Sequence, residues 1–270
     1  MRRSIYYRDP LNDDFASHSI KKKPLPEDYR YFPKSHAQRA ADFMLYHAVA
    51  VPLVFLLQKI CYGERIVNRQ ALKPYLNSGC FLYGNHTRGA GDAFCPAETA
   101  FPRKPYIVTS SDAVALPLIC GLVKALGGLP VPDSLHGLRQ FRKTVDGLAE
   151  KGNCIVIYPE AHIWPLYTDI RPFPDTSFCY PAETGKPVFA FTVTYKKRAF
   201  LPLVRSTVYV DGPFFADEDL SVRQKQKQLR DMVYNAMKQR SAASDYSYHR
   251  YTDIGGEDGD CGECEECEEQ

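Results

Sequence analysis

Cys80-Phe81-Leu82-Tyr83-Gly84-Asn85-His86-Thr87-Arg88-Gly89-Ala90-Gly91-Asp92 decides how this chain is read. A short apolar run ends in a glycine-rich loop that carries a histidine and an aspartate. A buried strand that stops at such a loop delivers side chains to a sheet edge, where functional groups of α/β proteins gather. Neutral imidazole can take a proton from a hydroxyl, and a carboxylate on its other nitrogen fixes tautomer and orientation. Glycines at 89 and 91 let the backbone curl so that Asp92 returns toward His86. Taken alone, a His and an Asp this close also fit an ordinary surface turn.

Outward from this run the pattern alternates. Apolar strands are expected at 79–83, 105–109, 129–132, 154–158, 188–195 and 207–210. Helix-like stretches lie between and after them, at 93–100, 111–126, 135–151 and 220–239. This alternation predicts an α/β fold, a mixed sheet flanked by helices. Ahead of it, Phe43 to Leu57 is the most apolar segment, shorter than the ~20 residues that span a bilayer and interrupted by Pro52. Its apolar residues cover nearly every face, which favours burial in lipid or against protein. The expected organisation is a polar segment over 1–35, an apolar interfacial anchor helix over 36–63, a main domain over 64–240 and a disordered acidic tail over 241–270.

Charge is unevenly spread. The 270 residues carry a formal +2, but nine of the 32 acidic residues fall between Asp253 and Gln270, where there is no Lys or Arg. The rest sets 34 cations against 23 carboxylates, which suits an anionic partner or a plainly solvated surface. Lys21-Lys22-Lys23 belongs to the same reading. Nine cysteines, an odd number, and no secretory signal point to a reducing compartment. Cys261, Cys264 and Cys267 have thiolate-metal spacing but no obvious fourth ligand, so a disordered acidic tail competes with a metal site.

A second marked segment follows the strand at 154–158: Tyr158-Pro159-Glu160-Ala161-His162-Ile163-Trp164-Pro165. Its bland reading is a proline-bracketed turn packed on Trp164. A third is Gly185-Lys186-Pro187-Val188-Phe189-Ala190-Phe191, a turn feeding a strand. In order and spacing these segments resemble the glycerolipid acyltransferase family, whose best-known members acylate lysophosphatidic acid. Asn85, His86 and Asp92 resemble its Asn-His-x4-Asp motif. Residues 158–163 are similar to the first half of its Phe-Pro-Glu-Gly-Thr-Arg block, and 186–193 to its late Val-Pro strand. The likeness covers roughly half the chain. It departs in two places: five residues separate His86 from Asp92, one more than the family rule, and Ile163 stands where the family arginine holds the acceptor's phosphate. Arg88, Arg139, Arg142 and Arg171 are the candidates to replace it.

The resemblance implies transfer of a fatty acyl group from acyl-CoA or acyl carrier protein to a lysolipid hydroxyl in phospholipid biosynthesis. His86 would be the general base and Asp92 its orienting carboxylate. Asn85, Arg88, Gly89, Gly91, Glu160, His162 and Arg171 would contact substrate or shape the site. No metal and no cofactor beyond the thioester co-substrate is implied. Expected partners are the donor, the lysolipid and an anionic membrane surface or acidic carrier protein, but not nucleic acid; the expected location is the cytoplasmic face of a membrane, peripheral or monotopic. Competing readings are a non-catalytic lipid-binding protein of the same fold and an acyl thioesterase.

Overall fold

In the structure, a computed structural model, the described residues are 3–15, 24–27, 29–114, 117–198 and 204–255. The basic run at 21–23 and the cysteines of the acidic tail lie outside them. Among the described residues there are nine strands: β1 Ser4–Tyr7, β2 Arg65–Val67, β3 Cys80–Gly84, β4 Tyr106–Thr109, β5 Gly128–Pro130, β6 Cys154–Ile157, β7 Val188–Lys197, β8 Val204–Phe214 and β9 Arg250–Asp253. Seven form one mixed sheet in the order β2-β8-β7-β3-β6-β4-β5. Only the β7–β8 pair is antiparallel; the other neighbours run parallel. The α/β architecture expected from the alternation is the one observed.

The central strands explain why the apolar runs are continuous. Every residue of β3 and β6 is buried, because helices and loops cover both sheet faces. Phe81, Tyr83 and Ile155 point to one side, where Phe141 and Val145 of helix Leu135–Glu150 and Leu229 and Val233 of helix Val222–Ser241 meet them. Cys80, Leu82, Cys154 and Val156 point to the other side, against Phe189, Phe191 and Leu72. Both long helices begin at a serine cap: Ser134 accepts from Gly137 N, and Ser221 with Gln224 forms a capping box.

The apolar segment belongs to a helix of 27 residues, His36–Tyr62, nearly twice the length of its apolar core. Ser35 caps its start and Gly63, at φ 52°, ends it in the left-handed region. Residues Leu45–Ala50 and Gln58–Tyr62 widen to π-helical turns; the first lies just before Pro52, which has no N–H to donate. By length and composition the helix is long and apolar enough to cross a bilayer. One side is docked on the domain through Tyr46, Val51, Val54 and Gln58, while Phe43, Met44, Val49, Leu53, Leu56 and Ile60 are exposed.

Three strands escape the sequence pattern. β2, only three residues long, extends the sheet beside β8. The disorder expected from 241 onward is corrected over residues 241–255: β9 pairs in parallel with β1, Ser4 opposite Arg250. The segment expected to be merely polar at the N-terminus supplies that partner. Aromatic packing accounts for both, since Trp164 is stacked on Tyr251 at 5.1 Å and meets Tyr7 at 4.6 Å and Phe15 at 5.3 Å.

Gly84 ends β3 beneath the Phe191 ring, and a Cβ there would lie 2.1 Å from that ring. Gly84→Ala is expected to destabilise the fold by about 1–3 kcal/mol through overpacking. Gly121→Ala, in open space within helix Pro117–Ala125, is expected to stabilise by up to about 1 kcal/mol. Denaturant unfolding of the two variants measures both.

Candidate active site

The loop after β3 closes the pair that the sequence suggests. His86 Nδ1 donates to Asp92 Oδ2 at 2.9 Å, despite the extra residue between them. Gly89, at φ 55° with open space around it, and the tight turn Gly89–Ala93 absorb that residue. A carboxylate can only accept here, so Nδ1 carries the proton and Nε2 presents its lone pair. The His86 side chain is 17% exposed and Asp92 fully buried. Among the described residues none hydrogen-bonds Nε2.

A buried carboxylate needs compensation, and Asp92 has it. The Arg88 backbone N–H donates to Asp92 Oδ2 at 2.8 Å, and the Arg88 guanidinium lies 3.5 Å from Oδ1. That guanidinium also donates to Glu64 and is stacked over Tyr62 at 5.2 Å. Glu64 in turn accepts from Ser206, and Gln58 of the first helix accepts from Arg88. Gln58 also donates to Gly91 O at 3.4 Å. His86, Asp92, Arg88 and Glu64 thus form one line of charged or chargeable groups running inward to the end of the first helix.

Tyr158 is the contribution that the sequence reading missed. Its ring stacks on His86 at 4.6 Å with 23° between planes, its hydroxyl donates to Asp92 O, and Phe191 meets its edge. Burial and the neighbouring Asp92 hold that phenol well above its ordinary pKa, so it stays a neutral donor. A tyrosine opening the second block was visible in the sequence; nothing local showed that it would meet His86.

The second block braces the first. Glu160 accepts the His86 N–H at 3.0 Å and the Arg171 N–H at 3.1 Å, one on each oxygen. Burial pushes its carboxyl above the ordinary range, while Arg171 and these two N–H groups oppose that shift. Trp164 N and Leu166 N donate to His86 O and Thr87 O. Asn85 continues the β3–β7 ladder with its side chain: Nδ2 donates to Val193 O at 3.0 Å and Oδ1 accepts from Val193 N at 2.8 Å. Thr87 pairs with the Tyr195 hydroxyl at 2.6 Å.

The remaining expected site residues sit elsewhere or are already engaged. Arg88 is wholly enclosed between Asp92 and Glu64. Arg171 is 1% exposed and holds Glu160 and the carbonyl oxygens of Glu160 and His162. Arg142 lies on helix Leu135–Glu150 paired with Glu183, on the other side of the sheet from the first helix. His162 has its ring 3.6 Å from Asp14 and about one-third exposed. The Gly91 N–H is used by Arg88 O, whereas that of Gly89 donates to no described residue.

Beside the dyad, between the first helix and the sheet, lies a cavity of about 400 Å³. Its wall is almost wholly apolar: Tyr46, Val51 and Val54 from the helix, Ile107 from β4, and Ala93 and Phe94, which directly follow Asp92. Among the described residues no cluster of His, Cys, Asp and Glu could hold a metal.

The fold has a counterpart of known structure. The chain superposes on the crystal structure of the 1-acyl-sn-glycerophosphate (LPA) acyltransferase PlsC from Thermotoga maritima with a TM-score of 0.50. The match covers 78% of this chain and 85% of that one, at 13% sequence identity. The two share a fold. No protein-family model and no curated protein matches the sequence. At that identity the likeness is one of fold, and the side-chain chemistry rests on the geometry above.

Removing the Arg88 guanidinium strands Asp92 and Glu64 as buried, uncompensated charges. Arg88→Met is expected to destabilise by about 3–5 kcal/mol, with part of this restored in Arg88→Met/Glu64→Leu. Ala161 has φ 62° where the similar family block carries glycine. Ala161→Gly is expected to stabilise by up to about 1 kcal/mol. Chemical denaturation of the purified variants checks both signs.

Proposed function

We propose that this chain is an O-acyltransferase moving a fatty acyl group from a thioester donor to the hydroxyl of a lysolipid at a membrane surface. The observation that carries the reading is the closed His86–Asp92 pair, which leaves Nε2 free of any described protein partner, next in the chain to Ala93 and Phe94 of an apolar cavity wall. The shared fold with an LPA acyltransferase supports it.

In the proposed step the acceptor hydroxyl oxygen attacks the thioester carbonyl carbon. His86 Nε2 takes the hydroxyl proton, the new C–O bond forms and the C–S bond breaks. The proton then passes to the departing thiolate, leaving His86 neutral again. Asp92 keeps Nδ1 protonated and stabilises the transient imidazolium. The Gly89 N–H is the proposed donor to the carbonyl oxygen as it gains charge, such a donor being worth about 3 kcal/mol in known cases. Direct attack needs no nucleophilic side chain and no metal.

The cavity would take the acyl chain, since alkyl groups leave water most favourably for a wall of this kind. The first helix forms part of that wall, and its exposed apolar face would lie in the bilayer surface, a monotopic placement that brings lipid substrates to His86. Acyl-CoA and acyl carrier protein both remain suitable donors. Arg88 and Arg171 serve to brace the loops, so the proposed acceptor is defined by its hydroxyl and chain rather than by a phosphate held at either arginine.

Incubation with long-chain acyl-CoA or acyl carrier protein and a lysolipid panel, read by mass spectrometry, tests this. The expected result is a new acylated lipid, absent with His86→Ala. Asp92→Asn is expected to lower kcat by about 10³–10⁴-fold with little change in KM, as when an orienting carboxylate is removed. Free fatty acid as the sole His86-dependent product would replace the reading with a thioesterase. No His86-dependent product with any donor would replace it with a lipid-binding protein.

A further inference from the structure

His86 follows the C-terminal end of β3. At the opposite edge of the sheet, where β4 and β6 begin, lies a second concavity of about 740 Å³. Lys104 and Asn153, just ahead of these two strands, form part of its wall. Five cations line it, Arg39, Arg103, Lys104, Lys124 and Lys151, against one carboxylate, Asp42.

Among the described residues none of the five cations is in an ion pair. Their hydrogen-bond and ring partners are uncharged, and Asp42 acts on Lys104 only through its field. Arg39 donates to Pro33 O, Arg103 to Asn77 Oδ1 and Lys104 to Ala125 O, and Lys124 lies 4.1 Å over the Tyr29 ring. Lys104 is the deepest: it meets the rings of Tyr46 and Tyr106 at 5.7 and 5.4 Å, and burial lowers its pKa. An ammonium has three N–H donors, and a single carbonyl engages this one. Like charges gathered in a low-dielectric hollow create a strong field for an anion.

The mouth of the hollow says what kind of anion. Phe43, Phe32 and Phe101 stand there 59%, 42% and 38% exposed. Phe43 continues into the exposed apolar face of the first helix. A small soluble phosphate would have no use for such a rim, whereas an amphiphile with an anionic head and alkyl tails matches both halves.

We propose that this hollow binds the phosphate headgroup of an anionic glycerophospholipid, with its acyl chains lying along the outer face of helix His36–Tyr62. The site is a built pocket, distinct from a diffuse basic surface, and lies at the other end of the first helix from the proposed reaction centre. It rests on the part of the proposed function that places this helix in a membrane surface, and is independent of the chemistry at His86.

Flotation of the full chain with vesicles tests it, using phosphatidylcholine alone and phosphatidylcholine with about one-third phosphatidylglycerol. Lys104→Met/Lys124→Gln is expected to weaken binding to the anionic vesicles about thirty-fold, about five-fold per cation, and to leave neutral vesicles unaffected. Arg39→Gln/Lys151→Gln, at positions that leave Lys104 in place, is expected to act in the same direction, which guards against a folding defect in the first pair. Arg223→Gln/Lys227→Gln removes the same charge from exposed positions on helix Val222–Ser241, no residue of which lines the hollow, and is expected to change little. An equal loss in this control, or none in both pocket variants, would overturn the proposal in favour of diffuse attraction. Calorimetry with dihexanoyl phosphatidylglycerol and with inorganic phosphate separates the ligand sources. Saturable binding of the lipid well above that of phosphate supports the site; equal affinities would make it a free-phosphate site and sink the lipid assignment. If the chain binds no vesicles, the helix placement fails, and the calorimetric arm still judges the pocket.

Discussion

Burying the Asp92 carboxylate is the constraint on which the rest of the site depends. A carboxylate withdrawn from water needs hydrogen-bonding and charged partners to be tolerated. Arg88 supplies them through its backbone N–H and its guanidinium, and Arg88, itself enclosed, needs Glu64 in turn. Glu64 is one residue beyond the glycine that ends the first helix, and Gln58 of that helix reaches both Arg88 and Gly91. The state of the imidazole therefore depends on how the apolar helix is seated. Helix docking and the proposed base are parts of one electrostatic unit.

A second set of contacts fixes where that unit sits. Asn85 substitutes a side-chain amide for a further backbone rung, so the strand's order extends one residue into the loop. Glu160 then holds the two loops together through backbone N–H groups, and those groups are present whatever the side chain. Tyr158 covers the imidazole face. Such support is what keeps a proton-transfer pair within reach of productive geometry.

The sheet was legible in the sequence because both of its faces are covered. Runs such as 80–84 and 154–157 are apolar throughout, and their length separates them from helices. The His86–Asp92 pairing was legible because both partners and the glycines that close the loop are local. Other features come from residues far apart in the chain. Glu64 meets Arg88 from 24 positions away, and β9 meets β1 from 246. Neither partner has a local signature. Arg88 and Arg171 looked like phosphate ligands because free guanidinium groups often are; their burial against Glu64 and Glu160 follows from tertiary packing, which composition does not carry. The 36–63 segment read correctly as apolar, yet its continuity as one helix past Pro52 depended on widened turns that propensity does not describe.

The small parallel pair β1–β9 rests on Trp164, whose backbone donates to His86 O. Residues 4–7 and 250–253 are therefore fastened together, like a belt whose buckle presses on the loop that carries His86. Closing so wide a ring is entropically slow, and the sheet can assemble beforehand from much nearer neighbours. During synthesis the main sheet would precede the buckle, and the loop behind His86 would gain its last support only once residue 253 had emerged.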